Sequence, residues 1–394
     1  MDSATPGLGA LKRALFWILL LVLPVAILEL GVRVVFAQKV GPSVLRYGFG
    51  FDRFEAIEVD RERFTVAEHG DLRANYSKYH AHQTRRDYDR ETGESFDVSI
   101  NAQGFRGRDF RPQKEPGVLR VVALGSSSTF GFTNRDDETY PVQLERLLGE
   151  RCPSQRVEVL NLGIPPLESD QILSLFLAEG LPLEPDIVTF YEGNNDAAGL
   201  REKMESVRRA LPAEAKREMP PSGLERLWRA GANRSLALAL VDNIARAARS
   251  QAVLDLEEEA RGPREKFIGN LDRLVAICRE SGIELVVATQ QALSRLVPRE
   301  EVRGLTYAGE VERVKARLAL RGGLRPSELK FLVHDLLMKD LRGWAVRERV
   351  PLVDVIEALD AERDVLVTHV HLSPRGNRLI AELLAAELAR GRCP

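Results

Sequence analysis

Residues 119–131 read Leu119-Arg120-Val121-Val122-Ala123-Leu124-Gly125-Ser126-Ser127-Ser128-Thr129-Phe130-Gly131, and this stretch decides the fold. LRVVAL is a short, almost continuous apolar run, the pattern of a strand buried on both faces. It stops at glycine and hydroxyl residues, and YPVQLERLLGE at 140–150 then carries one apolar face at helical spacing. The same rhythm continues outward. Strands are expected at 157–160, 186–191, 283–289 and 350–355, with helices at 169–179, 264–280 and 374–390. Such alternation predicts an α/β fold, a doubly wound parallel sheet whose ligands lie beyond the carboxyl ends of its strands. The Arg- and Glu-rich stretches at 197–262 and 294–347 read as helical insertions over the top of the sheet. The domain built on this sheet is therefore placed at 115–394. Residues 38–114 form a polar lead-in in which SFDVSI, at 95–100, alternates as a strand does.

Composition narrows the function. With 394 residues, 44% hydrophobic and 29% charged, the chain is neither disordered nor collagen-like. Its 56 basic and 58 acidic residues leave a net charge of -2, so no basic excess draws it to nucleic acid. Three cysteines, Cys152, Cys278 and Cys393, allow one disulfide at most, and the sequence does not choose the pair. His69, His80, His82 and His334 lack metal-ligand spacing, and no cofactor is implied.

The first forty residues are the most lopsided. Lys12 and Arg13 precede ALFWILLLVLPVAIL at 14–28, and the apolar character runs on to Ala37, broken by Glu29 and Arg33. A membrane span needs about 20 mostly apolar residues, which 14–37 supplies, and Glu29 and Arg33 are spaced to pair on a helix. The expectation is an uncleaved anchor with residues 1–13 cytoplasmic and the rest extracytoplasmic. The rival is a signal peptide cut after Ala37.

Four strand ends carry residues with chemistry. After the first strand a serine in a sharp, glycine-flanked turn can expose its hydroxyl as a nucleophile; the bland alternative is a hydroxyl-rich helix cap. After the second comes Asn161-Leu162-Gly163-Ile164-Pro165-Pro166, and after the third Gly193-Asn194-Asn195-Asp196. After the fifth, Thr368-His369-Val370-His371-Leu372-Ser373-Pro374-Arg375-Gly376 opens the last helix. One Asn or His in a loop says little. Ser, Gly, Asn and His in that order, each at a strand end, say much more.

In these blocks the sequence resembles the SGNH (GDSL-type) hydrolase superfamily, in particular its membrane-anchored bacterial members, from about Asn101 to the C-terminus. The resemblance includes Asn101-Ala102-Gln103-Gly104-Phe105-Arg106-Gly107 upstream of the first strand. It implies a flavodoxin-like three-layer α/β/α domain, with Ser127 as nucleophile, His371 as general base and Asn195 as an oxyanion donor. Two positions depart from the family pattern. A glycine whose N–H helps bind the oxyanion is replaced by Pro166, which has no N–H, so Gly163 or Leu167 would have to substitute. The acid of Asp-x-x-His is Thr368, whose hydroxyl could accept the Nδ1–H bond but brings no charge. The implied activity is hydrolysis or transfer of an acyl ester, by analogy on envelope or exported glycans. The alternative is a degenerate domain that binds glycan or protein without turnover. Partners are then an acylated carbohydrate or small ester and, through the N-terminal helix, a membrane; oligomeric state is not specified.

Overall fold

The computed structural model describes residues 16–17, 20, 23–35, 63–66, 76–89, 92, 94–198, 235, 237–238, 241, 256–294, 299–321 and 326–392. Two compact units emerge. One comprises Met1–Ala56, Arg90–Gly93 and Glu218–Arg249, the other Ile57–Asp89, Glu94–Arg217 and Ser250–Pro394. In the first unit residues 23–35 are helical, Arg33 pairs with Glu29 at 2.8 Å, and Glu29 also accepts from Ser235 Oγ and Ala237 N. Among the described residues no helix is long and apolar enough to cross a membrane. The expected anchor at 14–37 and the expected insertion at 197–262 lie partly or largely outside the described residues.

The second unit opens with two antiparallel hairpins, β1 (Arg63–Val66) with β2 (Tyr76–Tyr79) and β3 (Thr84–Tyr88) with β4 (Ser95–Ser99). Five parallel strands follow: β5 (Val118–Gly125), β6 (Arg156–Asn161), β7 (Ile187–Tyr191), β8 (Glu284–Ala288) and β9 (Leu352–Val353). Their spatial order is β6-β5-β7-β8-β9, the doubly wound arrangement with its switch point between β5 and β7. Every residue of β5 and β7 is buried, as a sheet covered on both faces requires.

The period of two along β5 sorts its side chains between two cores. Val121 and Ala123 face α2 (Tyr140–Arg151) and α8 (Pro374–Ala389), packing with Leu144, Leu148, Ile380 and Leu384, and Val355 of the short α7 (Val355–Ala358) joins the same core. Val122 and Leu124 belong to the opposite core with residues of α3 (Ser169–Leu175), α4 (Leu256–Glu280) and α6 (Pro326–Glu348), among them Phe267, Leu337 and Trp344. α5 (Tyr307–Arg321) packs its Val311 and Val314 there too.

One expectation about the insertions changes. The stretch 294–347 is not a solvated insertion over its length: α6 is the crossover helix between β8 and β9 and buries Phe331, Leu332, Met338 and Leu341. A parallel pair needs such a crossover to reach the start of the next strand. The two hairpins of the lead-in, β1–β2 and β3–β4, fall in the same compact unit as the sheet. Of the cysteines, Cys152 is disulfide-bonded and Cys278 is a buried free thiol, which excludes the two pairings that use Cys278.

Candidate active site

The nucleophile turn is shaped by what will not fit. A Cβ on Gly125, the last residue of β5, would lie 2.0 Å from Thr129 Oγ1 and 2.6 Å from Tyr191 O. The chain therefore turns against β7 and enters α1 (Ser127–Phe130), a single helical turn. Phe130 N–H closes that turn on Ser126 O at 2.8 Å, and Gly131, at φ +84, caps it by donating to Ser127 O at 3.1 Å. Ser127 is the first residue of this turn, so its N–H has no acceptor within the helix.

His371 reaches Ser127 from the other end of the chain. The segment before α8 is closed by an isolated Leu366–Leu372 bridge and by Ser373 N–H donating to Val365 O at 2.7 Å. Ser373 then caps α8 by accepting from Gly376 N, with Pro374 at the first helical position. The Ser-Pro-x-Gly run after His371 is thus a helix start that fixes where the imidazole stands. Its Nε2 lies 2.8 Å from Ser127 Oγ, and the Phe132 ring stacks against it at 4.6 Å between centroids. Nδ1 lies 3.0 Å from Thr368 Oγ1. Two aspartates that precede His371 in sequence are employed elsewhere: Asp354 by Arg342 and Thr289, and Asp364 by Arg303.

Asn195 follows β7 across the switch point. Its amide nitrogen donates to Ser126 Oγ at 2.8 Å and Leu167 O at 2.9 Å, which uses both amide protons in the resting state. Its backbone N–H donates to Glu192 Oε1 at 2.9 Å. Gly163 is placed differently from its expected role. Its N–H donates to Asn161 Oδ1 at 2.9 Å, and a Cβ there would sit 2.3 Å from Phe130 N. Gly163 therefore lets this loop pass close to α1, and its donor is spoken for. Leu167 N–H likewise donates to Ile164 O. Ser127, His371 and Thr368 form one chain of contacts; Asn195 meets the turn through Ser126.

Three further residues hold the site, and the sequence alone assigns none of them a role there. Gln290, buried just past β8, accepts from Asn194 N at 2.8 Å and donates to Ser128 Oγ at 3.2 Å, while Ser128 donates to Val370 O at 3.3 Å. One amide thus ties together the loops after β5, β7 and β8 and the segment carrying His371. The fourth strand end was legible as a site position by the same rule that selected the other four. Arg106, buried in the Asn101–Gly107 block, donates to Phe130 O, Gly131 O and Asn134 O behind α1 and pairs with Asp136 at 3.0 Å. The third is Glu192, also buried.

Burial pushes the Glu192 carboxyl up to about 7; the N–H groups of Asn195 and Gly193 oppose the shift and Asp196 adds to it. Burial also raises Asp196 to about 6, against the pull of Lys266 and Ser169. A carboxyl with a raised folded-state pKa binds its proton more tightly folded than unfolded. Its stabilising contribution is complete below about pH 4 and is lost as pH rises towards 7. Glu192→Gln keeps an acceptor for Asn195 N–H and cannot ionise. Its melting temperature is expected to exceed that of the wild type at pH 8 by an amount worth up to about 3 kcal/mol, and to match it at pH 4. Equal differences at both pH values would show that Glu192 does not titrate in this range.

The family model described as GDSL-like Lipase/Acylhydrolase family matches residues 123–379. The chain belongs to that family. The match runs from β5 into α8 and so spans Ser127, Asn195 and His371. Similar solved structures include the lipase/acylhydrolase from Enterococcus faecalis, at 17% identity over 70% of this chain and 97% of that one, TM-score 0.38. An acetyl xylan esterase, AlAXEase, is similar at 13% identity over 68% and 100%, TM-score 0.40. LAE5, an alpha/beta hydrolase enzyme from the metagenome of Lake Arreo, Spain, is similar at 18% over 69% and 95%, TM-score 0.39. No curated protein matches the chain.

Proposed function

We propose that this GDSL-family domain cleaves or transfers a carboxylic ester through an acyl-enzyme on Ser127. The observation that carries the reading is the 2.8 Å contact between Ser127 Oγ and His371 Nε2 at the carboxyl end of β5. Ser127 Oγ attacks the acyl carbonyl, and its proton passes to His371 Nε2. The carbonyl oxygen gains charge, which the Ser127 N–H and the Asn195 amide stabilise after that amide exchanges Ser126 or Leu167 for the oxyanion. The imidazolium returns the proton to the leaving alkoxide, and water or a sugar hydroxyl then takes the acyl group by the reverse steps.

For location, the proposal is a membrane anchor at 14–37 with the domain outside the cytoplasm and acylated envelope or exported glycans as substrates. Support comes from Lys12-Arg13 before the apolar run and from the Cys152 disulfide, which suits an oxidising compartment. A reporter fused to the C-terminus is expected to be exported and to stay with membranes. Recovery of the reporter in the cytoplasm contradicts this, and its release in soluble form favours cleavage after Ala37.

A second reading, binding of glycan or protein without turnover, is favoured by the committed donors: both Asn195 amide protons and the Gly163 N–H are taken, and Pro166 has none. Turnover of a short-chain p-nitrophenyl ester by the full chain separates the two. Binding of an acylated oligosaccharide with no turnover by either the wild type or Thr368→Asp selects the second.

A further inference from the structure

Position 368 replaces the acid of Asp-x-x-His by a hydroxyl, and the contacts of that hydroxyl fix which nitrogen of His371 carries the proton. Thr368 Oγ1 lies 2.9 Å from His371 N, 3.2 Å from Val370 N and 3.0 Å from His371 Nδ1. A hydroxyl offers two lone pairs and one proton. A backbone N–H only donates, so His371 N and Val370 N occupy both lone pairs. The Thr368 proton is what remains for the third contact, and Nδ1 must accept it. A neutral imidazole that accepts at Nδ1 carries its hydrogen on Nε2. That hydrogen points along the 2.8 Å contact to Ser127 Oγ.

We propose that Thr368 is a positioning residue that holds resting His371 in the Nε2–H tautomer, opposite to the one that accepts the serine proton. Its consequence for rate rests on the acyl-enzyme reading above; the tautomer itself does not. General-base catalysis moves the Ser127 Oγ–H proton onto a lone pair of Nε2, and in the resting tautomer an N–H bond occupies that lone pair. The productive state forms when the Nε2 proton leaves to water and water returns one to Nδ1, with no net change in charge. Thr368 must then turn its O–H away, and one backbone N–H must release a lone pair to Nδ1–H. Phe132, stacked on the ring, holds the imidazole plane while this exchange takes place. Ser127 is therefore a hydrogen-bond acceptor at rest, and its activation waits on a rearrangement set at position 368.

An aspartate at 368 has only acceptors, so it imposes Nδ1–H. An asparagine can satisfy the two backbone N–H groups through Oδ1 and still donate to Nδ1 through Nδ2, so it preserves Nε2–H. A valine does neither.

The test is two-bond 1H–15N correlation of the full chain carrying 15N-histidine, at a pH where His371 is neutral, with its signals assigned by their loss in His371→Gln. In the wild type, Nε2–H is expected to exceed Nδ1–H by tenfold or more. Thr368→Asp is expected to invert the pattern, Thr368→Asn to retain it, and Thr368→Val to reduce the excess. Nδ1–H as the major wild-type form overturns the proposal, and so does an identical tautomer ratio in wild type and Thr368→Val. The readout needs no turnover. A wild type held as Nε2–H with no esterase activity even in Thr368→Asp supports the tautomer assignment and removes the acyl-enzyme reading. If Thr368→Asp does not fold, the wild-type and Thr368→Val spectra decide alone.

Discussion

Replacing Thr368 by Asp is expected to raise kcat on a short-chain ester by about 10²-fold, towards a ceiling of about 10⁴ set by what the triad carboxylate contributes elsewhere. Two effects act in the same direction. The carboxylate accepts Nδ1–H and so puts the free lone pair on Nε2, where the Ser127 proton must go. It also places a negative charge beside the imidazolium that forms as Ser127 attacks, which Thr368 does not provide. The expected gain stays below the ceiling because Pro166 leaves the oxyanion with fewer donors and because a buried carboxylate carries a desolvation cost. Thr368→Asn separates the contributions: it is close in size, uncharged and retains the donor to Nδ1. Steady-state kinetics on one ester with all three proteins gives the comparison. An Asp variant that folds and turns over no faster than the Asn variant shows that position 368 does not limit the reaction.

Ser127→Ala is expected to reduce ester turnover to the uncatalysed rate. The loss is at least about 10²-fold in the wild type and about 10⁴-fold in the Thr368→Asp background. The size of the loss depends on the background because nucleophile and base act as a unit: without Oγ, the orientation of His371 has no effect on the rate. The increase given by Thr368→Asp should therefore vanish in the Ser127→Ala, Thr368→Asp double variant. Persistence of that increase would place the chemistry on another side chain, since Ser126 and Ser128 are already bonded to Ile164 O and Val370 O.

The strands that sequence analysis placed best are those buried on both faces. β5, β7 and β8 are short apolar runs because helices cover both sides of the sheet, and these three and the edge strand β6 each lie within two residues of their expected ends. β9 shrank from 350–355 to Leu352–Val353, the two residues that pair with Val287 and Ala288 at the end of β8. The helix expected at 169–179 holds α-helical form only to Leu175, then widens and tightens through Phe176–Gly180 and Leu181–Leu183, where Gly180 and Pro182 end its regular hydrogen bonding. α6 was misread for a different reason. It buries His334, Asp335 and Glu328 along with its apolar residues, so no clean polar face marks it as a core helix. The hairpins before β5 were mostly missed because Tyr76–Tyr79 and Thr84–Tyr88 alternate weakly and bury aromatic and charged side chains, among them Tyr79, Arg85 and Asp87.

At the site, the identities Ser127, His371 and Thr368 were legible because each stands at a fixed offset from a strand end or helix start. The direction of the bonds between them was not. A threonine three residues before a histidine can donate to the ring or accept from it, and only the positions of Val370 N and His371 N decide which. Gly163 illustrates the same limit. A glycine after the second strand reads equally as an oxyanion donor or as a point of close approach, and the 2.3 Å from its would-be Cβ to Phe130 N assigns the second.

The most direct measurement of Ser127 as an activated nucleophile is reaction of the folded full chain with a fluorophosphonate probe, read by intact mass and peptide mapping in wild type, Thr368→Asp and Ser127→Ala. A single adduct on Ser127 is expected, formed faster in Thr368→Asp than in the wild type and absent from Ser127→Ala. No adduct in the folded wild type and Thr368→Asp proteins, or an adduct that persists in Ser127→Ala, would contradict it.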